Sequence, residues 1–215
     1  LAESLCGCSA PEISSLLSGL GSKAYRIDRC ANCELAWTWP LPAEAELDEA
    51  YSDEYYTSKE AKFNGLIEAW TRYSGRKRAA KLLSAHAATR GSTTLESQST
   101  LLILDIGCGR GVLLEGFLEF GHEVLGIERE GSGFEANANV ETLTLGELIA
   151  AGRKFDIVVL WHVLEHLPAP VETLKQISQL LSATGSLVIE VPNFGSQQAR
   201  LFGSKWFHLD IPRHL

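Results

Sequence analysis

The feature that most constrains the fold is an apolar run, Leu101 to Ile106, broken only by Asp105, which passes directly into Gly107-Cys108-Gly109-Arg110-Gly111. A run of this kind is expected of a strand buried on both faces of a parallel sheet. Glycines at alternate positions permit positive φ in a tight strand-to-helix turn and let a ligand approach the backbone closely. Gly111 to Phe120 then reads as a helix with Leu114, Phe117 and Leu118 turned inward. The pattern continues with a strand at Glu123 to Ile127, a weaker one at Val140 to Leu145 and a buried one at Phe155 to Trp161. Val171, Leu174, Ile177 and Leu181 mark an amphipathic helix, and Ser186 to Val191 a further strand. Strand-helix alternation predicts an α/β domain over residues 101–215, with a doubly wound, mostly parallel sheet.

Two segments precede it. Residues 1–42 hold Cys6, Cys8, Cys30 and Cys33 and end at Pro40-Leu41-Pro42, with short strands expected at Ala24 to Arg29 and Leu35 to Trp39 around Cys30-Ala31-Asn32-Cys33. Residues 43–100 read as a helical linker or N-terminal cap, in which Leu66, Trp70, Tyr73, Ala80 and Leu83 recur at helical spacing. A polar connection, Gly91 to Thr100, closes it. A formal net charge of −8 excludes a protein that coats nucleic acid. No apolar run reaches the ~20 residues needed to span a bilayer, and the N-terminus lacks the build of a secretory signal, so a cytoplasmic location is expected. The sequence contains no Met, even at position 1, and stops at Pro212-Arg213-His214-Leu215. More protein is therefore expected to follow.

In a doubly wound sheet, ligands bind beyond the carboxyl ends of the strands, where the winding reverses. The glycine loop, with Asp105 at the strand end to orient it, is the expected cofactor site. Glu128, about twenty residues on, ends the second strand, where a carboxylate can accept hydrogen bonds from both ribose hydroxyls of a nucleoside. The spacing is Gly-x-Gly-x-Gly, and Val112 stands where a dinucleotide fingerprint needs its third glycine.

Leu104-Asp105-Ile106-Gly107-Cys108-Gly109-Arg110-Gly111 closely resembles motif I of the class I S-adenosylmethionine-dependent methyltransferases. Phe155 to Leu167 resembles their fourth-strand motif, and Ile189-Glu190-Val191-Pro192-Asn193 their fifth-strand ending. The resemblance implies a Rossmann-like sheet and an enzyme that uses S-adenosylmethionine. It assigns the ribose to Glu128, the methionine portion to Asp105 with Gly107, Cys108, Gly109 and Gly111, the neighbourhood of the adenine to Gly146-Glu147-Leu148, and the floor beneath the cofactor to Trp161 and His162. It also implies two further strands after the fifth, which these residues do not supply, so part of the acceptor pocket is expected to be missing.

Tyr51 to Tyr56 and Pro212-Arg213-His214-Leu215 are similar to a bacterial subgroup whose members carry a cysteine-rich ribbon ahead of the methyltransferase domain. Some of these resemble sugar methyltransferases and enzymes of surface-polysaccharide gene clusters. A small-molecule acceptor, in the class of sugars or polysaccharide precursors, is the corresponding expectation. The subgroup's pattern has a second Cys-x-x-Cys. Here the earlier pair is Cys6-Gly7-Cys8, with Glu3 where the other cysteine is expected. Cys6, Cys8, Cys30 and Cys33 are candidate ligands of a structural Zn²⁺, since four thiolates leave no open position. The alternative is a hairpin in which the cysteines are buried hydrophobes.

Methyl transfer needs a general base only when the acceptor is a hydroxyl or a protonated amine. His166, then His162, are the candidates, because both follow the fourth strand; either histidine could instead simply pack. His208 and His214 lie in a C-terminal segment that could close over the substrate, where Trp206 and Phe207 could line an acceptor pocket or be ordinary core. The basic run Arg72 to Lys81 reads first as a solvated helix face, with Arg76 the candidate if it instead contacts the cofactor carboxylate or an anionic acceptor. Two rival readings stay open: a non-catalytic or regulatory module that keeps the cofactor fold, and an NAD-dependent oxidoreductase, which Val112 disfavours.

Overall fold

The computed structural model describes residues 8–9, 12–20, 25–50, 65–91, 99–129 and 139–215. Cys6 and the Tyr51 to Tyr56 segment lie outside them. The chain divides into two compact units. One comprises Leu1–Tyr55, Glu165–Pro168 and Pro192–Leu215, and the other Tyr56–Leu164 with Ala169–Val191.

The second unit holds the parallel sheet. Its strands, β4 (Leu102–Ile106), β5 (Glu123–Ile127), β6 (Val140–Glu141), β7 (Phe155–Trp161) and β8 (Leu181–Glu190), lie in the order β6-β5-β4-β7-β8. Every pairing is parallel. The winding reverses between β4 and β7, where ligands bind in such sheets. Ile103, Leu104, Ile157, Val158, Val159 and Leu160 are completely buried, as both-face coverage of central parallel strands requires.

One face is covered by α2 (Gly65–Thr89) and α3 (Val112–Glu119), whose Ala79, Leu82, Leu83, Leu113 and Phe117 pack with Leu101, Ile103, Ile157 and Val159. The two helices meet where both lack a side chain. A Cβ on Gly116 would stand 2.8 Å from the Gly75 carbonyl oxygen, and one on Gly75 would stand 2.5 Å from that of Val112. The buried stripe of α2 therefore begins at Gly75 and runs through Ala79, Leu82, Leu83, His86 and Ala87. The expected stripe through Trp70 and Tyr73 is corrected, because these are 67% and 58% exposed. At ~1.5 Å per residue, α2 is about three times as long as α3, and its first turns reach past that contact. Leu118, expected inward, is also exposed.

Two strand boundaries differ from expectation. Thr144 accepts the Glu147 N–H at 3.2 Å and Glu147 bonds back to Thr144, so this capping box starts α4 (Leu145–Ala150) where a strand was expected to continue. The amphipathic helix α5 (Pro170–Ser178) stops before Leu181, which already belongs to β8.

The first unit contains a three-stranded antiparallel sheet, β1 (Ile13–Leu20), β2 (Tyr25–Cys30) and β3 (Ala36–Trp39), with α1 (Glu44–Ala50) and α6 (Gln197–Phe202). A small sheet with one apolar face buries it against another element. Leu20, Tyr25 and Ile27 pack with Ala199, Trp206 and Leu209, so the segment after β8 completes the core of the N-terminal sheet. β1 was not anticipated. Its residues do not alternate between apolar and polar, and its pairing with β2 carries two register shifts.

Candidate functional site

The glycine loop leaves the carboxyl end of β4, and its three glycines all take positive φ: 67° at Gly107, 53° at Gly109 and 75° at Gly111. Gly107 also has no room for a side chain, because a Cβ there would stand 2.6 Å from a methyl of Val163, in the turn after β7. The loop N–H groups of Gly107 and Cys108 donate to the Ile127 carbonyl at 2.8 and 3.4 Å. Glu128 follows directly. Its Oε2 accepts the Gly109 N–H at 2.8 Å and its Oε1 the N–H of Arg129 at 2.9 Å. The orienting role expected of Asp105 therefore falls to Glu128.

Asp105 is 3% exposed, and its Oδ1 has no hydrogen-bond partner among the described residues. Burial, aided by the negative charge of Glu128, pushes its carboxyl up to about 8. The same causes, with Asp105 itself, push the Cys108 thiol up to about 12, so Cys108 stays protonated. A buried carboxyl with an unsatisfied oxygen, beside a loop that leaves no side chains in the way, is suited to a ligand bearing a cationic donor.

The rim is built after β7. His162 takes φ 56°, its N–H donates to the Glu190 carbonyl at 2.9 Å, and its Nε2 stands 3.6 Å from Glu190 Oε1. The Arg78 guanidinium lies 4.8 Å from the centre of the Trp161 ring. Val163, Glu190 and Arg78 were not anticipated, since no local pattern marks a residue that acts by reaching a distant loop. Arg76 instead pairs with Glu119 at 3.3 Å and stacks on Phe120. The Glu147 carboxylate is held by the α4 cap at Thr144 N and Oγ1.

His166 lies in a 3₁₀ turn, Leu164–His166, and belongs to the other unit. Its Nδ1 is 3.0 Å from the Arg213 carbonyl, and its ring stands 4.6 Å from that of His214. His214 Nδ1 is 2.7 Å from the His208 carbonyl. Burial lowers the pKa of both imidazoles, and in His166 the neighbouring His214 adds to the effect. A cavity of about 110 Å³ in this unit is lined by Trp37, Thr38, Glu165, Phe194, Trp206 and His214, among others.

In the same unit, Cys8, Cys30 and Cys33 bring their sulfurs within 4.8 Å of one another. The Cys8 to Cys30 separation is 3.9 Å. Tetrahedral Zn–S bonds of ~2.3 Å place sulfurs ~3.8 Å apart, so the pair fits a zinc site.

Residues 72–215 match the family model described as a methyltransferase domain. The chain belongs to the methyltransferase-domain family. Curated relatives of this methyltransferase include the ubiquinone biosynthesis O-methyltransferase of Rhodopseudomonas palustris, 26% identical over 175 residues that cover 71% of this chain and 69% of the relative. The protein of the same name from Coxiella burnetii is 27% identical over 168 residues, covering 71% and 70%. The plantazolicin methyltransferase BpumL, solved in complex with SAH, superposes with a TM-score of 0.55 at 18% identity, covering 76% of this chain and 65% of that one. This methyltransferase thus spans just under two thirds of that structure, and the likeness establishes the Rossmann-like fold. No helix among the described residues is long and apolar enough to cross a membrane.

Proposed function

We propose that this methyltransferase uses S-adenosylmethionine and delivers the methyl group to a small-molecule acceptor, with sugars and polysaccharide precursors as the class to test first. The observation that carries the cofactor assignment is the buried, unsatisfied Asp105 Oδ1 beside the glycine loop that Glu128 holds. Asp105 suits the cationic amino group of the methionine portion. Glu128 suits the ribose hydroxyls, and Gly107, Cys108, Gly109 and Gly111 let the ligand approach the backbone. Trp161 and His162 are assigned to the floor of the site. When bound, the cofactor supplies a methyl group on a sulfonium, a good leaving group, so holding the acceptor in line provides most of the rate.

For a hydroxyl acceptor, the proton goes to His162, which shares a unit with the cofactor loop and whose ring faces Glu190. The relatives' shared name, O-methyltransferase, supports oxygen as the accepting atom. Cys8, Cys30 and Cys33 are assigned to a structural zinc, with Cys6 as its fourth ligand, and the protein to the cytoplasm. Calorimetry with S-adenosylhomocysteine and with NAD tests the cofactor assignment. Binding of the first alone is expected, and tight binding of NAD alone would overturn it. Metal analysis of the purified protein and of Cys33→Ser, expected to find one zinc fewer in the variant, tests the ribbon.

A further inference from the structure

A second cluster of ligand-type side chains lies in the first unit, apart from the cysteines. Glu165, His166 and His214 each bring one donor atom within 4.8 Å of the others. The two imidazoles are held by the backbone in the same way. Carbonyl oxygens only accept, so the protons of both rings sit on Nδ1, directed at the carbonyls of Arg213 and His208. Nε2 of each ring then carries its lone pair. Ligating histidines are commonly held like this, with the other ring nitrogen donating to a carbonyl.

The backbone around the cluster is stitched together as well. The Leu215 N–H donates to the Glu165 carbonyl at 2.8 Å, and the Thr38 hydroxyl to that of His214 at 2.6 Å. Asp210 Oδ2 stands 4.0 Å from His214 Nε2, beyond hydrogen-bond reach, while its other oxygen pairs with Arg213. Glu165 and His214 also line the 110 Å³ cavity. Two cavity residues, Trp37 and Trp206, have buried indole N–H groups with no partner among the described residues.

We propose that Glu165, His166 and His214 form a divalent-cation site that opens on this cavity and takes an ion of the zinc class. Two imidazoles and a carboxylate are a donor set for such ions, and three protein ligands leave room for an oxygen from water or from a hydroxylated or carboxylate-bearing molecule. The indole N–H groups provide donors for the same oxygens. To share one ion at ~2.1 Å, the three donors must draw together by about an ångström. The site is separate from the cysteine cluster and does not depend on the assignment of the methyl donor.

Cobalt(II) tests it, because thiolate ligation produces an intense charge-transfer band that nitrogen and oxygen ligation lacks. The whole chain, stripped of metal, is titrated with Co²⁺, and proton NMR is recorded in parallel. A binding event without the thiolate band is expected, together with two paramagnetically shifted, exchangeable imidazole N–H signals. His214→Ala and Glu165→Gln should each weaken that event at least tenfold, whereas Cys33→Ser should leave it unchanged. Binding unaltered by His214→Ala and Glu165→Gln would overturn the site. Absence of the two shifted signals in the unsubstituted protein would also overturn it, even if a variant failed to fold.

Discussion

Glu128 Oε2 accepts the backbone N–H of Gly109 at 2.8 Å, which ties the acidic residue after β5 directly to the glycine loop after β4. One carboxylate shapes the loop and is the residue proposed to hold the ribose. Glu128→Ala should weaken S-adenosylhomocysteine binding by about 10- to 100-fold, the loss expected for a charged hydrogen bond of about 1.5–3 kcal/mol. Isothermal titration calorimetry measures it, and unchanged affinity would refute the ribose assignment.

Asp105→Asn separates stability from binding. The folded carboxyl titrates at about 8 against an ordinary 3.8, so the native protein keeps a proton that the unfolded chain releases. Its contribution is fully present below pH ~4 and is lost as pH rises through about 8. The neutral amide has no proton to release, so it should remove that loss and make the stability of the unliganded protein less dependent on pH between ~5 and ~8. Cofactor affinity should fall at the same time. Urea unfolding at pH 5 and pH 8, with calorimetry alongside, checks both.

The loop depends on the absence of a side chain at Gly107. Gly107→Ala combines a φ of 67° with a Cβ placed 2.6 Å from a Val163 methyl. The backbone conformation alone costs about 1–2 kcal/mol. Val163→Ala should relieve the clash but not the dihedral strain, so the double variant should recover only part of the lost stability. Thermal melts of the four proteins in the cycle measure the recovery, and full additivity would show that the two residues do not touch.

His86 is buried on α2, with its Nδ1 2.8 Å from the Ser186 hydroxyl and no partner for Nε2 among the described residues. Burial first, then the charge of Arg90, lowers its pKa from the ordinary 6.5, while Asp156 acts in the opposite direction. The unfolded chain therefore takes up this proton more readily, and stability should fall as pH drops below 6.5. Comparing urea midpoints at pH 7.5 and 5.5 should show a smaller acid loss in His86→Asn. An equal loss in both proteins would remove His86 from the account.

The two central strands, β4 and β7, were legible because each writes its own burial into the chain. Leu101 to Ile106 and Phe155 to Trp161 are apolar except at Asp105 and Asp156, as strands buried on both faces of a parallel sheet are expected to be. The order of Asp105, the glycines and Glu128 was readable for a related reason, since strand ends and tight turns demand particular residue types in fixed succession. The α2 stripe was misjudged because helical periodicity shows which residues could share a face, but not where along the helix a neighbour begins. That point is set by the contact of Gly75 with Gly116. β1 was missed because Ile13 to Leu20 lacks alternation and pairs irregularly.

By itself, then, the sequence determined the parallel α/β sheet, the place of the ligand loop within it and the candidate thiolates, because these follow from local composition and spacing. Only the tertiary structure decided that Glu128 rather than Asp105 holds the loop, that Val163 fills the space a side chain at Gly107 would need, and that Pro192–Leu215 packs on the N-terminal strands. It alone brought Glu165, His166 and His214 together. These pairings join residues up to 176 positions apart, as in the bond from Thr38 to His214. Contacts at such separation are selected by the burial they complete and leave no periodic trace in the chain.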